Sequence, residues 1–533
     1  MATSKYRLDD LLAAHRSIGS QSAVFWRENG EAVSLEQFEG LIGGAEDWLK
    51  AQGVGVGDRV AVMMLNRVEW LATFFAAARI GATIVAVNTR YKTSEVHHIL
   101  KASEAQLMLT QNDGQKTDMM GVLAGLSGKD LPALQRVAVL GTCDRPELIG
   151  RPVVAFSLAP RPIEPDTTSD PDRPVIFFTT SGTTSLPKLV IHSQSTLGLH
   201  AHAACETARL RSQDGHSYIA ALPFCGVFGL NPTLSAISAA APVQLLAMFD
   251  ASAVRRLIVE RGITHMVGSD EMYRRILDED GAVLSRLNFC GYGIFTPGTA
   301  EIIEAGARNG APIAGVYGSS EVNAIFVIQP HDLPLDERLK GGGHAASIAS
   351  ARLKVVDPET GAPCRDGEAG LLKIAAATNF IGYYGNPDAY AKAVDAEGFF
   401  STGDLAYMRD DGSIVYVSRI GDTLRLSGFL TDPGEIEAAL KEVGRLREVQ
   451  VVGVEIDGQT RPVAFTRRDP EAPLDRDGTL AALRQALAAY KVPVRLWEID
   501  EFPTVPSANG VKVQRTTLRQ WALERLASES AAA

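Results

Sequence analysis

The order of apolar runs predicts an α/β protein. Its large N-terminal part has layered, mostly parallel sheets covered by helices and includes a β-rich subdomain, and a small α+β unit follows. Three observations carry this. Strand-like and helix-like patterns alternate through the first part of the chain, which is the rhythm of a parallel sheet with crossover helices. After about Leu353, short strands separated by turn residues take over. From about Asp422 a well-marked helix start opens a last unit. The expected boundaries are 1–421, with the β-rich subdomain at about 350–421, and 422–533.

In chain order, Val60 to Leu65 reads as a buried strand, Glu69 to Arg79 as an amphipathic helix and Thr83 to Val87 as the next strand. Glu95 to Ala102 is helical and Leu107 to Thr110 extended. The same alternation returns at Val243 to Leu246, Ala253 to Glu260 and His265 to Val267. Leu353 to Val356, Gly370 to Ile374 and Ser413 to Val417 are short strands, punctuated by Asp357-Pro358, Asp366-Gly367 and Asp411-Gly412. Asp432-Pro433-Gly434-Glu435 offers a cap, a proline in the first turn and a glutamate three residues after the cap. A strand at Glu448 to Val454 and a helix at Leu480 to Ala489 complete the unit.

Composition narrows the function. Of 533 residues, 46% are hydrophobic and 22% charged, which suits a chain with a large core. A net charge of -11 argues against general nucleic-acid binding, since phosphate backbones select basic surfaces. It leaves nucleotide binding open, because that uses local donors. Cys143, Cys205, Cys225, Cys290 and Cys364 are scattered and form no C-x-x-C pair. That spacing argues against a disulfide framework or a zinc site and fits a reducing, cytoplasmic compartment. Met1 to Arg16 reads as a polar start without a signal peptide. The apolar stretch Trp70 to Val87, interrupted by Arg79 and Gly81, is too short and broken for a membrane span.

The most informative segment is Val175-Ile-Phe-Phe-Thr-Thr-Ser-Gly-Thr-Thr-Ser-Leu-Pro-Lys-Leu-Val-Ile-His192. Two apolar strands flank a loop with hydroxyls at Thr179, Thr180, Ser181, Thr183, Thr184 and Ser185, a conformationally free Gly182, and Lys188. Hydroxyl and backbone donors with one lysine suit a polyphosphate. A Walker loop would need Gly-Lys-Ser/Thr opening a helix. Here Pro187 precedes the lysine and a strand follows, so that reading is rejected. Taken alone, such composition also describes an ordinary Ser/Thr-rich turn.

This loop resembles the phosphate-loop signature T-S-G-T-T-G-x-P-K-G of the adenylate-forming superfamily, which includes acyl-CoA synthetases, peptide-synthetase adenylation domains and beetle luciferases. Further family motifs follow in order. Gly315-Val-Tyr-Gly-Ser-Ser-Glu321 resembles Y-G-x-T-E, and Ser401-Thr-Gly-Asp404 resembles T-G-D. Ser418-Arg419-Ile-Gly-Asp422 is similar to G-R-x-x-D, and Leu426 to Glu437 to G-x-x-V-x-P-x-E-I-E. Pro506-Ser-Ala-Asn-Gly-Val-Lys512 keeps the Pro-to-Lys spacing of P-x-x-x-x-G-K. Singly, each has a plain structural explanation: a core tyrosine, a turn aspartate, a surface arginine, a solvated lysine. Five in family order, on top of the loop, do not.

The resemblance implies an AMP-forming ligase that uses ATP, Mg²⁺ and coenzyme A. It implies that Thr180, Ser181, Gly182, Thr183, Thr184 and Lys188 hold the phosphates. Tyr317 would lie at the adenine, Gly318 elsewhere in the ATP/AMP site, Ser320 at the α-phosphate, and Asp404 and Arg419 at the ribose. Glu321 would bind Mg²⁺ and Lys512 would bridge carboxylate and α-phosphate. Asp422 is the implied hinge of a mobile C-terminal domain, with Arg425 and Gly428 lining the thiol channel in its second pose. Phe224, Cys225, Gly226 and Phe228, in Leu222-Pro-Phe-Cys-Gly-Val-Phe-Gly229, would line the acyl pocket with Gly293 and Gly315. Gly226 stands where the family often has His or another bulky residue. Either it opens room in the pocket, in which case the expected acid is medium-chain, branched or aryl, or it only serves a tight backbone turn.

The chain departs from the family pattern mainly at glycines. Ser185 and Leu189 replace loop glycines, Ser418 precedes Arg419, and Arg425 stands where lysine is common. Val511 precedes Lys512, with Gly510 one place earlier. The residues that would contact ligand are retained. Three other functions stay open at this stage: an adenylation enzyme that loads a separate carrier protein, a luciferase-like oxygenase that uses the same adenylate, and a nucleotide-binding relative without turnover.

Overall fold

The computed structural model describes residues 5–112, 117–179, 187–293, 299–330, 333–346, 351–420, 424–426, 429–431, 433–456, 459–467, 474–507 and 510–532. Its architecture is α/β, with two nine-stranded sheets stacked through shared helices. In the first, Ile313–Tyr317, Phe289–Gly293, His265–Ser269, Tyr218–Ala220, Val243–Leu245 and Ala23–Trp26 run parallel in that order. Short antiparallel strands close both edges. In the second, Pro174–Thr179, Thr83–Ala86, Arg59–Met63, Leu107–Asn112, Arg136–Gly141 and Arg151–Ala155 run parallel. Leu189–Ser193 then pairs antiparallel with Pro174–Thr179 and carries Gly382–Tyr383 on its outer edge.

The helix Val68–Ile80 explains the stacking. Trp70, Leu71, Phe74, Phe75, Ala76 and Ala77 are buried on every side of it. A helix that is apolar all round must be covered on more than one face. Phe38 of the helix Leu35–Ala51 meets Phe75 edge-on at 5.5 Å, and Phe224 meets Trp70 at 5.6 Å. Helix and strand positions predicted from periodicity recur here with ends shifted by at most two residues, the helix expected at 480–489 apart.

The β-rich subdomain is a four-stranded antiparallel sheet in the order Arg352–Val356, Gly370–Ala375, Phe400–Met408, Ile414–Arg419. The last stretch contains a three-stranded sheet of Val449–Ile456, Gln459–Arg467 and Arg495–Ile499, with helices Pro433–Gly444, Arg476–Ala486 and Arg515–Ala532. Its buried apolar residues form clusters of their own, one around Leu440 and Val451 and one around Phe465 and Trp497. The helix expected at 480–489 runs instead over Arg476–Ala486. Asp475 caps it by accepting from Gly478 N at 2.9 Å, and Leu487 is already extended. The apolar residues mark only the buried face of this helix, so its polar first turn was invisible to periodicity. Asp432, the expected cap of the helix from Pro433, lies outside the described residues. Among the described residues no helix is long and apolar enough to cross a membrane. The five cysteines are unpaired.

Candidate active site

The Ser-Thr-Gly-Asp motif builds one wall. Thr402 donates its hydroxyl to Leu372 O at 2.8 Å and accepts Asp404 N at 3.0 Å. Gly403 takes φ +74°, a left-handed backbone that a side chain resists, and its carbonyl accepts Ile420 N. Asp404 is therefore held rigidly, 4% exposed, opposite its register partner Arg419. Arg419 Nη1 donates to Asp404 Oδ1 at 2.7 Å, and the Tyr317 hydroxyl donates to Oδ2 at 2.6 Å. Tyr317 closes the last turn of the strand Ile313–Tyr317 and lies 5.6 Å from the Tyr416 ring. Burial, then the Asp404 carboxylate, pushes the Tyr317 phenol well above its usual range, so it remains a donor. Each carboxylate oxygen keeps a second acceptor site.

The second wall is the turn after Tyr317. Gly318 is required there, because a Cβ would run into the backbone of Ala324. Ser320–Val322 forms a short 3-10 turn, after which Asn323 and Ala324 both adopt left-handed φ, +64° and +60°. Non-glycine residues hold such conformations only when neighbours fix them. Asn323 donates to Thr378 O at 2.6 Å, and Asn231 donates to Asn323 O and Oδ1 at 3.0 and 2.9 Å. Ser320 O accepts from His192 Nε2 at 2.7 Å and Glu321 O accepts from Phe380 N at 2.8 Å. His192 is buried, and burial lowers its pKa to about 4. It is therefore neutral, with its proton on Nε2 and Nδ1 free to accept from Thr196, 3.0 Å away.

Glu321 and Lys188 converge on one side chain. The Tyr383 hydroxyl donates to Glu321 Oε1 at 3.0 Å, and the Lys188 ammonium stands 4.9 Å from the Tyr383 ring centroid. A Mg²⁺ ion takes one or two protein carboxylates and otherwise phosphates and water. A single partly exposed carboxylate beside a lysine fits that pattern. No cluster of three or more His, Cys, Asp or Glu exists among the described residues.

The remaining expected site residues divide by position. Thr180, Ser181, Gly182, Thr183 and Thr184, as well as Asp422 and Gly428, lie outside the described residues. The backbones of Arg425 and Lys512 are described, paired with Leu430 and Val505 in two-stranded antiparallel sheets, but their side chains are not. Phe224, Cys225 and Phe228 are buried, and burial pushes the Cys225 thiol up to about 11. Gly226 caps the helix Val227–Ser238 at φ −108° and ψ 142°, a backbone any residue adopts. Gly315 pairs with Tyr292 across the parallel sheet, and a Cβ there would lie 3.5 Å from the Tyr292 hydroxyl. Gly293 ends the adjacent strand.

The sequence motifs do not point to Tyr383, Asn323, Asn231 or Tyr416. The segment Phe380-Ile-Gly-Tyr-Tyr-Gly-Asn-Pro387 carries a signal of sorts: aromatics bounded by turn residues.

Tyr317 lies at the carboxyl end of a strand in the parallel part of the first sheet, the place where open α/β sheets carry their ligands. A sequence model of the family described as AMP-binding enzyme matches residues 15–384. The chain belongs to that family, the adenylate-forming enzymes. A 4-coumarate–CoA ligase of Oryza sativa subsp. japonica is 28% identical over 487 residues, covering 88% of this chain and 84% of its own. A 2-succinylbenzoate–CoA ligase of Geobacillus kaustophilus is 29% identical over 462 residues, covering 85% and 86%. The crystal structure of an anthranilate CoA ligase in complex with anthranoyl-AMP superposes with a TM-score of 0.82 at 23% identity. It covers 98% of this chain and 99% of its own.

Proposed function

We propose that this protein is an AMP-forming acyl-CoA synthetase. In the first half-reaction a substrate carboxylate attacks the α-phosphorus of ATP, giving acyl-AMP and pyrophosphate. In the second, the CoA thiol attacks the acyl carbonyl and AMP leaves. A carboxylate is a poor acyl donor because its leaving group would be oxide, and adenylation replaces that with AMP. The observations that carry the reading are the Asp404 carboxylate, fixed by Thr402 and Gly403 and flanked by Tyr317 and Arg419, and the convergence of Glu321 and Lys188 on Tyr383.

Asp404 would accept the ribose hydroxyls, with Arg419 beside it and the Tyr317 ring against adenine. Ser320 would steady the α-phosphate and Lys188 the outer phosphates. Glu321 would hold Mg²⁺, which when bound neutralises phosphate charge. Adenylyl transfer needs mainly positioning and charge neutralisation, which these groups supply. Residues 422–533 would act as a separate unit that brings Lys512 to the reacting anions and then turns about Asp422. Arg425 and Gly428 would then line the thiol path.

The acid is proposed to be medium-chain, branched or aryl. The relatives that act on coumarate and succinylbenzoate support an aryl substrate. So does Gly226, whose missing side chain is not demanded by its backbone. The test is a panel of carboxylic acids scored for pyrophosphate release with and without CoA. Acid-dependent release and CoA-dependent thioester formation are expected. Release without any thioester on CoA would favour a carrier-protein acceptor.

A further inference from the structure

One aromatic side chain touches two opposite charges, those of Glu321 and Lys188. Tyr383 is 7% exposed, wedged against Phe380 at 4.9 Å, and carried on a short strand paired to Leu189–Ser193, immediately after Lys188. Its hydroxyl donates to Glu321 Oε1 and its ring face lies under the Lys188 ammonium. The segment leading to it grips the same turn twice more, through Thr378 O to Asn323 and through Phe380 N to Glu321 O. A carboxylate and an ammonium on two different elements are thus referenced to one rigid ring.

We propose that Tyr383 is a positioning residue that presets Glu321 and Lys188 for a metal–nucleotide complex. The hydroxyl orients the carboxylate by occupying one of its oxygens and leaving the other for the ion. The ring face holds the ammonium over the site by the attraction of a cation for an aromatic quadrupole. The two tasks use different atoms of the same residue and are therefore separable. The proposal rests on the roles assigned above to Glu321 and Lys188.

The experiment is calorimetric ATP binding, in EDTA and across a Mg²⁺ titration. It uses the full-length wild type, Tyr383→Phe, Tyr383→Leu and Glu321→Gln, each checked by thermal melting. Tyr383→Phe keeps the ring and the volume. It should bind ATP in EDTA within about twofold of wild type, yet need roughly tenfold more Mg²⁺ to reach the tight state, the scale of a lost hydrogen bond to a charged group. Tyr383→Leu should also weaken binding in EDTA, by roughly threefold or more. A normal Mg²⁺ requirement in Tyr383→Phe, with a raised one in Glu321→Gln, overturns the proposal and leaves the role of Glu321 standing. A normal requirement in Glu321→Gln overturns the role of Glu321, and the proposal falls with it.

Discussion

Tyr317 and Arg419 grip the two oxygens of the Asp404 carboxylate from opposite sides, at 2.6 and 2.7 Å. This carboxylate is buried and pre-oriented, whereas the Arg419 side chain is 55% exposed. Its worth to a ligand therefore lies in the anion and not in the tyrosine hydroxyl that rests on it. Asp404→Ala should weaken ATP and AMP binding by about 1.5–3 kcal/mol, or 10- to 100-fold in Kd. Tyr317→Phe keeps the ring and should change Kd by less than about threefold, within the net worth of one hydrogen bond. Calorimetric titration of both variants checks this, and equal losses would remove Asp404 from its proposed place at the ribose.

How much of this was legible in the sequence depends on what each residue signals. Asp404, Arg419, Glu321 and Tyr317 sit in short motifs whose order betrays them, and the layered α/β fold follows from the alternation of patterns. Tyr383 was not legible because an aromatic in a Gly-Tyr-Tyr-Gly turn looks like packing until its hydroxyl is placed against Glu321. Asn323 was hidden for a different reason. Its left-handed φ and its bonds to Thr378 and Asn231 come from residues 55 and 92 positions away. Tertiary contacts of that span leave no local pattern. Gly226 shows the reverse case: the sequence left open a turn that needs glycine, and an extended φ of −108° shows none is needed.

Acid should destabilise the protein through buried histidines. His15, His192, His200 and His265 are 0 to 2% exposed, and burial lowers their pKa values to about 4, 4, 3 and 4. Each is neutral in the folded state and free to protonate near pH 6.5 once unfolded. Unfolding therefore takes up protons below pH 6.5. Stability contributed by these groups is full above that pH and falls as pH drops toward 4, by up to about 1.4 kcal/mol per histidine per pH unit. His200 is the cleanest probe, since both ring nitrogens lack a partner among the described residues. His200→Leu should leave stability unchanged or raised at pH 8 and flatten its decline between pH 6 and 4.5 by about one proton. Denaturant melts at several pH values measure this, and an unchanged slope would contradict it.

Gly226 supplies a test of substrate size. Its backbone tolerates any side chain, so a large one should act through the space it fills and not through strain. Gly226→Trp should depress kcat/KM for branched and aryl acids at least tenfold more than for acetate, given about 0.8 kcal/mol per buried methylene of substrate. Wild type should prefer the larger acids by the same logic. Acetate as the best wild-type substrate, or an equal loss for all acids in the variant, would remove Gly226 from the acyl pocket.

The sharpest expectation concerns Lys512. Its backbone lies in the strand Gly510–Val513, opposite Val505 in a two-stranded ribbon, so it is carried on a hairpin and not on the body of either large sheet. A lysine on such a ribbon is ordinarily just solvated. The proposed task is narrower: a positive charge between two anions, the substrate carboxylate and the α-phosphate, that must meet. A contact made mainly in the transition state should be worth roughly 3–4 kcal/mol, about 10²–10³ in rate. Lys512→Ala should therefore lose acid-dependent pyrophosphate release by that factor, with ATP affinity little changed. If residues 422–533 then turn, the lysine has left the site before the thiol attacks. The same variant, supplied with pre-made acyl-AMP and CoA, should form the thioester at near the wild-type rate. Lysine acetylation should mimic the substitution by removing the charge. Single-turnover assays of the two half-reactions separate these outcomes. Normal adenylation by Lys512→Ala would place the bridging charge elsewhere, and loss of both half-reactions with normal folding would argue against a turning unit.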